Sequence, residues 1–395
     1  MMPSARRVVT PPTVTPASAG GTRLLGGHAP RTFLSRFWQK DALLVRGAVP
    51  GFAGLFTERE LLALAQRDDV ESRLLVRTGR DWTFEHGPFR GAELARLPAK
   101  DWTLLVQGVN LHSTVADAFL RRFDFLPYAR LDDMMVSLAA PGGGVGPHFD
   151  SYDVFLLQGT GRRRWRYGRQ HDLALKPGLP VKILRRFTPS HEAVLAAGDM
   201  LYLPPQFAHD GVAVDRCTTY SVGFRAASAN ELATAFLDFM RDGLELEGRY
   251  ADPDLKPSQR PARIDPAMRR RIGAMLREIR WDAETVGRFL GCWLTEPKPT
   301  VSFDPPRQPR TRAAFAAAAN RAGVRLDTRS QLLYDDRRHY INGEAIDRPR
   351  DGKGMLERLA DVRALSPREI RSADAAVVSI LYDWYRHGFL HTDAG

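Results

Sequence analysis

The spacing of hydrophobic and polar residues divides the chain into stretches of different kinds. From Asp132 to Arg225, short apolar segments alternate with glycine and proline turns. Short strands at this spacing are typical of a small β-barrel or a double-sheet jelly roll, whose interior can hold a small ligand. The strands that the pattern predicts here are Met134–Ala139, Val154–Gln158, Arg164–Tyr167, Val181–Leu184, Met200–Leu203 and Thr219–Phe224.

The stretch before the barrel mixes helical and extended patterns. Thr32–Lys40 has apolar residues along one side of a short helix, and Leu43–Arg46 is typical of a strand. Thr57 is a suitable cap for a helix that starts near Glu58. Two alternating runs predict strands that flank the barrel: Ser72–Arg77 and Trp102–Gln107.

Residues 228–295 change to helical spacing. Apolar residues recur between Ala267 and Leu294 as they do on one face of a helix. These residues are Met268, Ile272, Met275, Leu276, Ile279, Val286, Phe289, Leu290 and Trp293. The stripe supports two interpretations: a helix pair that closes over its own domain, or the interface of a homodimer.

A proline-rich boundary over 297–309 precedes the last part of the chain. Helices and strands are then predicted at Arg312–Ala322, Gln331–Tyr334, His339–Ile341, Met355–Arg363 and Ala375–Arg386, with a tight turn at Asn342–Gly343. Helices together with a β-hairpin predict a winged-helix-like domain. Residues 301–395 hold 16 basic and 13 acidic residues, interspersed without a basic stripe. An interaction or scaffold role is therefore favoured over direct DNA binding.

Together the patterns predict an α+β protein made of four consecutive segments. These are a disordered tail over 1–30, a barrel domain over 31–227, a helical region over 228–300 and a winged-helix-like domain over 301–395. The tail is rich in Pro, Thr, Ser, Ala and Gly and offers little to bury. The first 40 residues also carry six basic residues and no acidic one, which leaves a mitochondrial transit peptide open as an alternative.

The composition is that of an ordinary soluble protein, with 44% hydrophobic and 26% charged residues among 395. No apolar run is long enough to span a bilayer, so we expect no membrane segment. The two cysteines, Cys217 and Cys292, cannot form a disulfide framework, which favours a reducing compartment and a cytoplasmic location. The net charge of +11 is concentrated near the N-terminus and by itself does not indicate nucleic-acid binding.

Three residues of the barrel region have the composition of a metal site. His148 and Asp150 follow the glycine-rich run 141–147, and alternation along a strand puts both side chains on the same side. His209 comes after Gly198, Asp199 and the predicted strand that follows them. Two histidines and one carboxylate can occupy one face of an octahedron around Fe(II) and leave positions open for a co-substrate and O₂.

An isolated His-x-Asp motif is weak, and the chain contains a second one at His391–Asp393. Nothing follows that motif in the chain to complete a site, so we interpret it as a chance match. By itself His209 is better explained as a histidine bonded to nearby backbone, and only its combination with His148 and Asp150 favours metal binding.

The residues from Pro141 to Asp150, from Gly159 to Trp165 and from Gly198 to His209 resemble the Jumonji-C 2-oxoglutarate oxygenases. More closely, the chain resembles the bacterial ribosomal oxygenases that hydroxylate an arginine of ribosomal protein L-sixteen of the large subunit. The resemblance runs from about Thr32 into the C-terminal region and includes the motifs at 132–133 and 220–225. It implies a double-stranded β-helix (cupin) catalytic domain, a helical dimerisation region and a winged-helix domain.

The resemblance also implies the reactants and two of their ligands. Fe(II), 2-oxoglutarate and O₂ are the expected cofactor and co-substrates, and the expected product is an arginine that is hydroxylated at its β-carbon. Arg163 matches the basic residue that pairs with the distal carboxylate of 2-oxoglutarate, and an arginine can bind a carboxylate bidentately. Ser137 matches a position that helps to hold the same carboxylate.

A cationic arginine substrate requires acidic or polar partners. The candidates are Asp132 and Asp133 before the first barrel strand, and Tyr152 and Asp153 after the triad. Each of these four is equally well explained as a surface or turn residue.

Two other functions remain open from the residues. One is a metal-binding cupin without catalysis that serves as an interaction module, and Arg163 at its offset disfavours it. The other is a Jumonji-C oxygenase of a different protein residue, such as histidine or lysine. A histone demethylase is disfavoured because the chain lacks cysteine-rich zinc modules.

Overall fold

The short strands that the pattern predicts form two facing β-sheets in the computed structural model, which describes residues 23–79, 81–349 and 354–392. Most of the predicted tail over 1–30 lies outside the described residues. Where it is described, Leu24 and Leu25 are fully buried, because both pack into the hydrophobic core. The prediction of disorder was therefore wrong for residues 23–30.

The helices and strands are numbered here in chain order. The α-helices are α1 (Pro30–Arg36), α2 (Glu58–Leu64), α3 (Gly91–Leu94), α4 (Thr114–Leu120), α5 (Ala229–Gly243), α6 (Pro266–Leu276), α7 (Ala283–Thr295), α8 (Arg312–Ala322), α9 (Met355–Val362), α10 (Pro367–Arg371) and α11 (Ala375–Arg386). Turns of 3-10 helix lie at Val109–Leu111, Arg121–Phe123 and Tyr128–Arg130. The strands are β1 (Leu43–Val45), β2 (Ser72–Thr78), β3 (Asp81–His86), β4 (Trp102–Val106), β5 (Leu131–Ala139), β6 (Asp153–Gln158), β7 (Arg163–Arg169), β8 (His191–Leu195), β9 (Met200–Leu203), β10 (Phe207–Ala213), β11 (Cys217–Phe224), β12 (Val324–Leu326), β13 (Leu332–Tyr334), β14 (Arg338–Ile341), β15 (Glu344–Asp347), β16 (Ala364–Leu365) and β17 (Leu390–His391).

The barrel consists of a large and a small antiparallel sheet. The large sheet has eight strands in the order β1-β9-β6-β11-β5-β4-β2-β3, and the small sheet has the order β10-β7-β8. These facing sheets confirm the predicted double-stranded β-helix. One predicted strand, Val181–Leu184, was wrong, because this segment contributes only an isolated bridge between Leu184 and Leu175.

The central strands of the large sheet are buried on both faces, and this fixes which side chains can reach a ligand. One face packs against the N-terminal helices through aromatic residues; the ring centroids of Phe33 and Tyr202 are 5.0 Å apart, and those of Phe123 and Phe155 are 4.9 Å apart. The other face carries Val154, Leu156, Leu201 and Leu203, which pack against Trp165, Tyr167, Leu195 and Phe207 of the small sheet. The second face therefore lines the barrel interior.

The described residues form two compact units. Within the described residues, the first takes 23–226 together with 297–330 and 364–392, and the second takes 227–296 together with 331–349 and 354–363. The predicted segment 301–395 thus contributes to both units. Its predicted hairpin is present, since β13 pairs with β14, and β14 continues through a turn at Asn342 and Gly343 into β15.

The second unit combines α5, α6, α7 and α9 with the sheet β13-β14-β15. Phe236 and Phe239 of α5 pack on Phe289 of α7. Gly291 of α7 faces the Tyr340 ring so closely that an added Cβ would lie 2.3 Å from it, so a glycine is required there. Among the described residues, no helix is both long and apolar enough to cross a bilayer.

Candidate active site

Two histidines from distant parts of the chain are joined by their own backbone. The His148 N–H donates to the His209 carbonyl at 3.0 Å, and the His209 N–H donates to the His148 carbonyl at 2.8 Å. This reciprocal pair ties the loop after β5 to β10 as an antiparallel bridge. The Gln206 N–H donates to the Asp150 carbonyl at 3.2 Å and holds the third candidate beside the same strand.

The glycine-rich loop runs closely along β10. Gly142 donates to the Ala213 carbonyl, and Ala213 donates to the Gly143 carbonyl, both at 2.8 Å. A Cβ on Gly144 would lie 2.6 Å from the Gly211 carbonyl oxygen. The run of glycines is therefore explained by close backbone approach, and it delivers His148 to the level of His209.

His148, Asp150 and His209 are brought together as a set of three potential metal ligands. Each offers one ligand atom, and these atoms all lie within 4.8 Å of one another. The Asp150 Oδ2 is 3.6 Å from the His209 Nε2, and the two imidazole rings have centroids 4.2 Å apart.

Hydrogen bonds to the backbone orient both imidazoles. The His148 Nδ1 lies 2.9 Å from the Gly146 carbonyl, and the His209 Nδ1 lies 3.1 Å from the Phe207 carbonyl. A carbonyl oxygen only accepts, so each Nδ1 carries a proton, and in the neutral ring the Nε2 is the nitrogen that keeps a lone pair for a metal. Burial, reinforced by the neighbouring His148, lowers the pKa of His209 to about 4, so this ring is neutral near pH 7, as metal ligation requires.

The donor set fits iron. Two imidazole nitrogens and one carboxylate oxygen form the combination that holds non-haem Fe(II) on one face and leaves positions open. The backbone carbonyls that accept from both Nδ1 atoms fix the ring tautomer, as the outer hydrogen bonds of metal-ligating histidines usually do.

Arg163 lies on β7, on the same interior face as His209. Its partner across the small sheet is Ala213, four residues along β10 from His209. The guanidinium is buried, its Nη2 approaches the Cys217 Sγ at 3.8 Å, and its Nε has no hydrogen-bond partner within the described residues. Burial of a cation without an anionic partner is strongly unfavourable, so this position indicates an anionic ligand.

A row of polar side chains in the large sheet faces the same space. Ser137 pairs with Thr219, and Thr219 pairs with Gln158, so all three lie in register across the sheet. The Ser137 hydroxyl is 3.5 Å from the Thr219 carbonyl, and the Thr219 hydroxyl donates to the Gln158 Oε1 at 3.1 Å. This polar row lies on the interior face of β5, β11 and β6, where the neighbouring positions are mainly apolar.

Two more buried polar atoms of the interior lack partners within the described part of the chain, the Trp165 Nε1 and the Thr103 Oγ1. Trp165 stands on β7 between Arg163 and Tyr167, and its ring lies 5.8 Å from that of His209. Together with the Arg163 guanidinium these groups fit a dicarboxylate that reaches from Arg163 toward the triad. Sequence analysis missed Thr103, Gln158, Trp165 and Thr219, although alternation along their strands is a signal that could have identified them.

Of the four predicted substrate residues, Asp132, Asp133 and Tyr152 lie in one region, and Asp153 does not. Asp133 is buried and accepts from the Gln107 Nε2 at 2.9 Å, and the Lys298 Nζ lies 2.8 Å from Asp133 and 3.1 Å from Asp132. Tyr152 lies over Gly223 of β11. Burial, followed by the charges of Asp150, Asp133 and Asp132, raises the pKa of the Tyr152 hydroxyl. The acidic pair 132–133 and the metal candidate Asp150 therefore act electrostatically on the same tyrosine.

Asp153 is not part of this arrangement. It is fully buried on the face of β6 that packs against the N-terminal helices. It accepts from the Tyr202 hydroxyl at 2.6 Å and from the Gln39 Nε2 at 2.9 Å, and the Arg130 guanidinium is 3.5 Å away. The expectation that Asp153 contacts substrate is corrected by its position, because strand alternation points it away from the barrel interior.

The second His-x-Asp motif has no metal-site geometry in the described residues. The His391 Nε2 lies 2.8 Å from Asp327, whose other partners include Arg329. Asp393 lies outside the described residues.

Comparison with known proteins agrees with both domains. The JmjC domain family matches residues 118–232, and the ROXA-like winged-helix family matches residues 278–391. The ribosomal protein uL16 3-hydroxylase of Escherichia coli is 36% identical over 348 residues, which cover 86% of this chain and 91% of that protein. The chain belongs to the JmjC-domain ribosomal oxygenase family.

Other members of this family and their structures agree. A probable ribosomal oxygenase of Haemophilus influenzae is 36% identical over 234 residues, which cover 58% of this chain and 56% of that protein. The structure of the E. coli ribosomal oxygenase YcfD in complex with cobalt and 2-oxoglutarate matches with a TM-score of 0.79 and 32% identity, over 92% of this chain and 98% of that one. The predicted barrel with its winged-helix domain is thereby confirmed.

The contacts of Asp153 lead to a prediction that separates a structural role from a role at the site. Asp153→Asn removes a buried charge that accepts from Tyr202 and Gln39, and we expect a loss of about 1–3 kcal/mol in the free energy of unfolding. Chemical denaturation measures this loss. We expect the 2-oxoglutarate turnover per folded molecule to stay unchanged. Tyr202→Phe, which removes the same bond from the other side, is the matched control. Unaltered stability combined with impaired turnover would contradict the structural assignment.

Proposed function

We propose that this protein is an Fe(II)- and 2-oxoglutarate-dependent oxygenase that hydroxylates the β-carbon of an arginine in ribosomal protein uL16. The observation that carries the proposal is the pairing, inside one barrel, of the His148, Asp150 and His209 ligand set with the buried Arg163 guanidinium. The similarity to the E. coli uL16 3-hydroxylase supports the choice of substrate.

The residues divide the reaction between them. His148 and His209 would each present an Nε2 to the iron, and Asp150 would present an oxygen. When bound, the iron together with 2-oxoglutarate and O₂ supplies the oxidation, in which one oxygen atom enters a C–H bond and the other leaves in succinate, with release of CO₂. Arg163, with Ser137 beside it, would hold the distal carboxylate and so fix the co-substrate relative to the ligand set.

The strand register of the small sheet gives the distance along the strand between Arg163 and His209. Arg163 pairs with Ala213 and Tyr167 pairs with His209, so the two positions are four residues apart. Four residues of a strand span about 13 Å. This distance leaves space for the Arg163 side chain and an extended five-carbon dicarboxylate between the Arg163 backbone and the three metal-ligand candidates. The apolar walls formed by Leu156, Leu201 and Leu203 exclude water from that space.

The alternative of a metal-binding cupin without catalysis accounts less well for the interior. A structural metal site requires no buried cation, and Arg163 has an unpartnered Nε within the described residues. Oxidation of a histidine or a lysine instead of an arginine uses the same ligand set, so it is an outcome of the substrate test below.

The experiment that tests the proposal incubates the protein with a peptide spanning the candidate uL16 arginine, Fe(II) and 2-oxoglutarate. We expect a mass gain of one oxygen, which fragment analysis locates at the β-carbon. His209→Ala is the control, because loss of one imidazole ligand should abolish the product and weaken metal binding. Oxygen gained only by a matched lysine or histidine peptide would overturn the choice of arginine, and normal turnover by the His209→Ala protein would overturn the ligand set.

Arg163 leads to a prediction for the co-substrate. Arg163→Ala should raise the apparent KM for 2-oxoglutarate about tenfold or more, since a hydrogen-bonded charge pair contributes roughly 1.5–3 kcal/mol. Steady-state turnover against 2-oxoglutarate concentration is the measurement. Arg164→Ala is the matched control, because Arg164 is an exposed residue on the opposite side of the same strand. An unchanged KM in the Arg163 variant would move the carboxylate contact to another residue.

We propose further that the chain forms a homodimer through its helical region. The stripe predicted from the sequence is exposed on α6, where residues Met268, Ile272 and Met275 are 38%, 37% and 36% exposed. Leu276 at the end of the helix is 59% exposed. An apolar stripe of this kind on one helix fits the same surface of a second copy around a two-fold axis.

The stripe leads to a prediction about oligomeric state. Ile272→Glu and Ile279→Glu should convert a dimer into monomers, because each places a charge in an apolar interface. Light scattering at micromolar concentration measures the change. Arg270→Glu, on the opposite side of α6, should leave the dimer intact. A wild-type monomer at that concentration would disprove the interface.

A further inference from the structure

The acidic pair near the site, Asp132 and Asp133, already holds a cation of the chain itself. The Lys298 Nζ lies 2.8 Å from the Asp133 Oδ2 and 3.1 Å from the Asp132 Oδ1. Pro297 and Pro299 flank the lysine and restrict the backbone on both sides of it. The ammonium group is therefore presented to the pair by a stiff segment.

The pair cannot easily be left without a cation. The Asp133 side chain is only 5% exposed, whereas those of Asp132 and Lys298 are 36% and 38% exposed. Gln107 donates to both oxygens of Asp133 at 2.9 Å, but an amide carries no charge. Burial raises the pKa of the Asp133 carboxyl. Burial by itself would lower the pKa of Lys298, but the two carboxylates together outweigh it and raise that pKa. An uncompensated carboxylate at this depth is strongly unfavourable, so departure of Lys298 requires either another cation or a proton on Asp133 in its place.

The local charges are balanced before any substrate binds. Lys298 contacts both carboxylates, and the Arg225 Nε lies 3.6 Å from the Asp132 Oδ1. An incoming side chain therefore meets a neutralised pair and gains attraction only by taking the place of the lysine. The open side of the pair, marked by the exposed part of Asp132 and Lys298, is where that exchange can occur.

We propose that Lys298 is a specificity-determining residue, a built-in competitor that a cationic substrate side chain must displace from Asp132 and Asp133. The inference rests on the proposed function, in which that side chain is an arginine. A tethered group competes at an effective concentration on the order of millimolar, so it sets a threshold for every cation. A guanidinium can displace Lys298 because it binds a carboxylate through two parallel hydrogen bonds. An ammonium from a substrate lysine would only replace the Lys298 ammonium with an equivalent group.

The test compares two variants that change the competitor in opposite directions. Lys298→Met keeps an unbranched side chain of nearly the same length and removes its charge, whereas Lys298→Arg keeps the charge and adds the bidentate geometry. Binding of the uL16 arginine peptide is measured by calorimetry, and its hydroxylation is measured in parallel. A peptide with citrulline in place of the arginine is the neutral control, since it has the same shape without the charge.

We expect the Kd for the arginine peptide to fall about tenfold in Lys298→Met, because the competing occupant is gone, and to rise in Lys298→Arg. The Kd for the citrulline peptide should not fall in either variant. The kcat for the arginine peptide should stay the same, since the lysine is already displaced in the bound state. The arginine peptide should also raise the Tm of Lys298→Met more than that of the wild type, because it restores the missing cation.

The opposite pattern would overturn the inference. A purely structural lysine would weaken peptide binding when replaced by methionine and would tolerate arginine. If Lys298→Met does not fold, a Kd for Lys298→Arg that equals the wild-type value is sufficient to reject the competitor. Failure of the proposed function gives a different result, because the wild-type protein would then leave the arginine peptide unmodified. A wild-type protein that does not bind the peptide would reject the proposed function and the competitor role of Lys298 together.

Discussion

The site depends on one reciprocal pair of backbone hydrogen bonds, which joins His148 to His209. These main-chain hydrogen bonds set the distance between the two segments. The positions of the two imidazoles depend on that distance, because each side chain is attached to the bonded backbone. Because the bridge is antiparallel, both imidazoles project to the same side, and the Gln206 bond to the Asp150 carbonyl adds the carboxylate there. The ligand geometry is thus built into the barrel before any metal binds, which lowers the entropy that binding must overcome.

The interior is divided between an apolar wall and a small polar region. Leucine and valine side chains of the large sheet pack against the aromatic residues of the small sheet, and this packing stabilises the barrel without any ligand. The Arg163 guanidinium, the Ser137 hydroxyl, the Trp165 Nε1 and the Thr103 Oγ1 occupy positions that could have been apolar, and within the described part of the chain the last two atoms have no hydrogen-bond partner. Buried polar groups without partners are unfavourable, so their retention indicates that stability is given up for an anionic ligand.

Sequence periodicity predicted the strands with a regular apolar pattern and failed where that pattern is absent. β5, β6 and β11 were predicted because apolar residues recur along each of them at strand spacing, as do Tyr220, Val222 and Phe224 of β11. β10 was not predicted as a strand, since its interior positions are Phe207, His209, Gly211 and Ala213, of which only the first has the usual hydrophobic character. Gly211 is small because the Trp165 ring fills the space in front of it, with an added Cβ only 2.6 Å from that ring. This compensation between two strands cannot be recognised in either one by itself.

The sequence by itself determined the chemistry of the site, because the types of ligand and the glycine run next to them are local features of the chain. It also determined the barrel class, since the alternation of short strands and turns is local as well. Only the tertiary structure decided which acidic residues face the site. Asp133 and Asp153 were equal candidates in the sequence, yet Asp133 points to the interior, and Asp153 points to the helices, where Tyr202 and Gln39 donate to it. The lysine that neutralises Asp133 comes from position 298, far along the chain. The physical reason is that strand parity and long-range ion pairs depend on which segments pack together, and no local pattern contains that information.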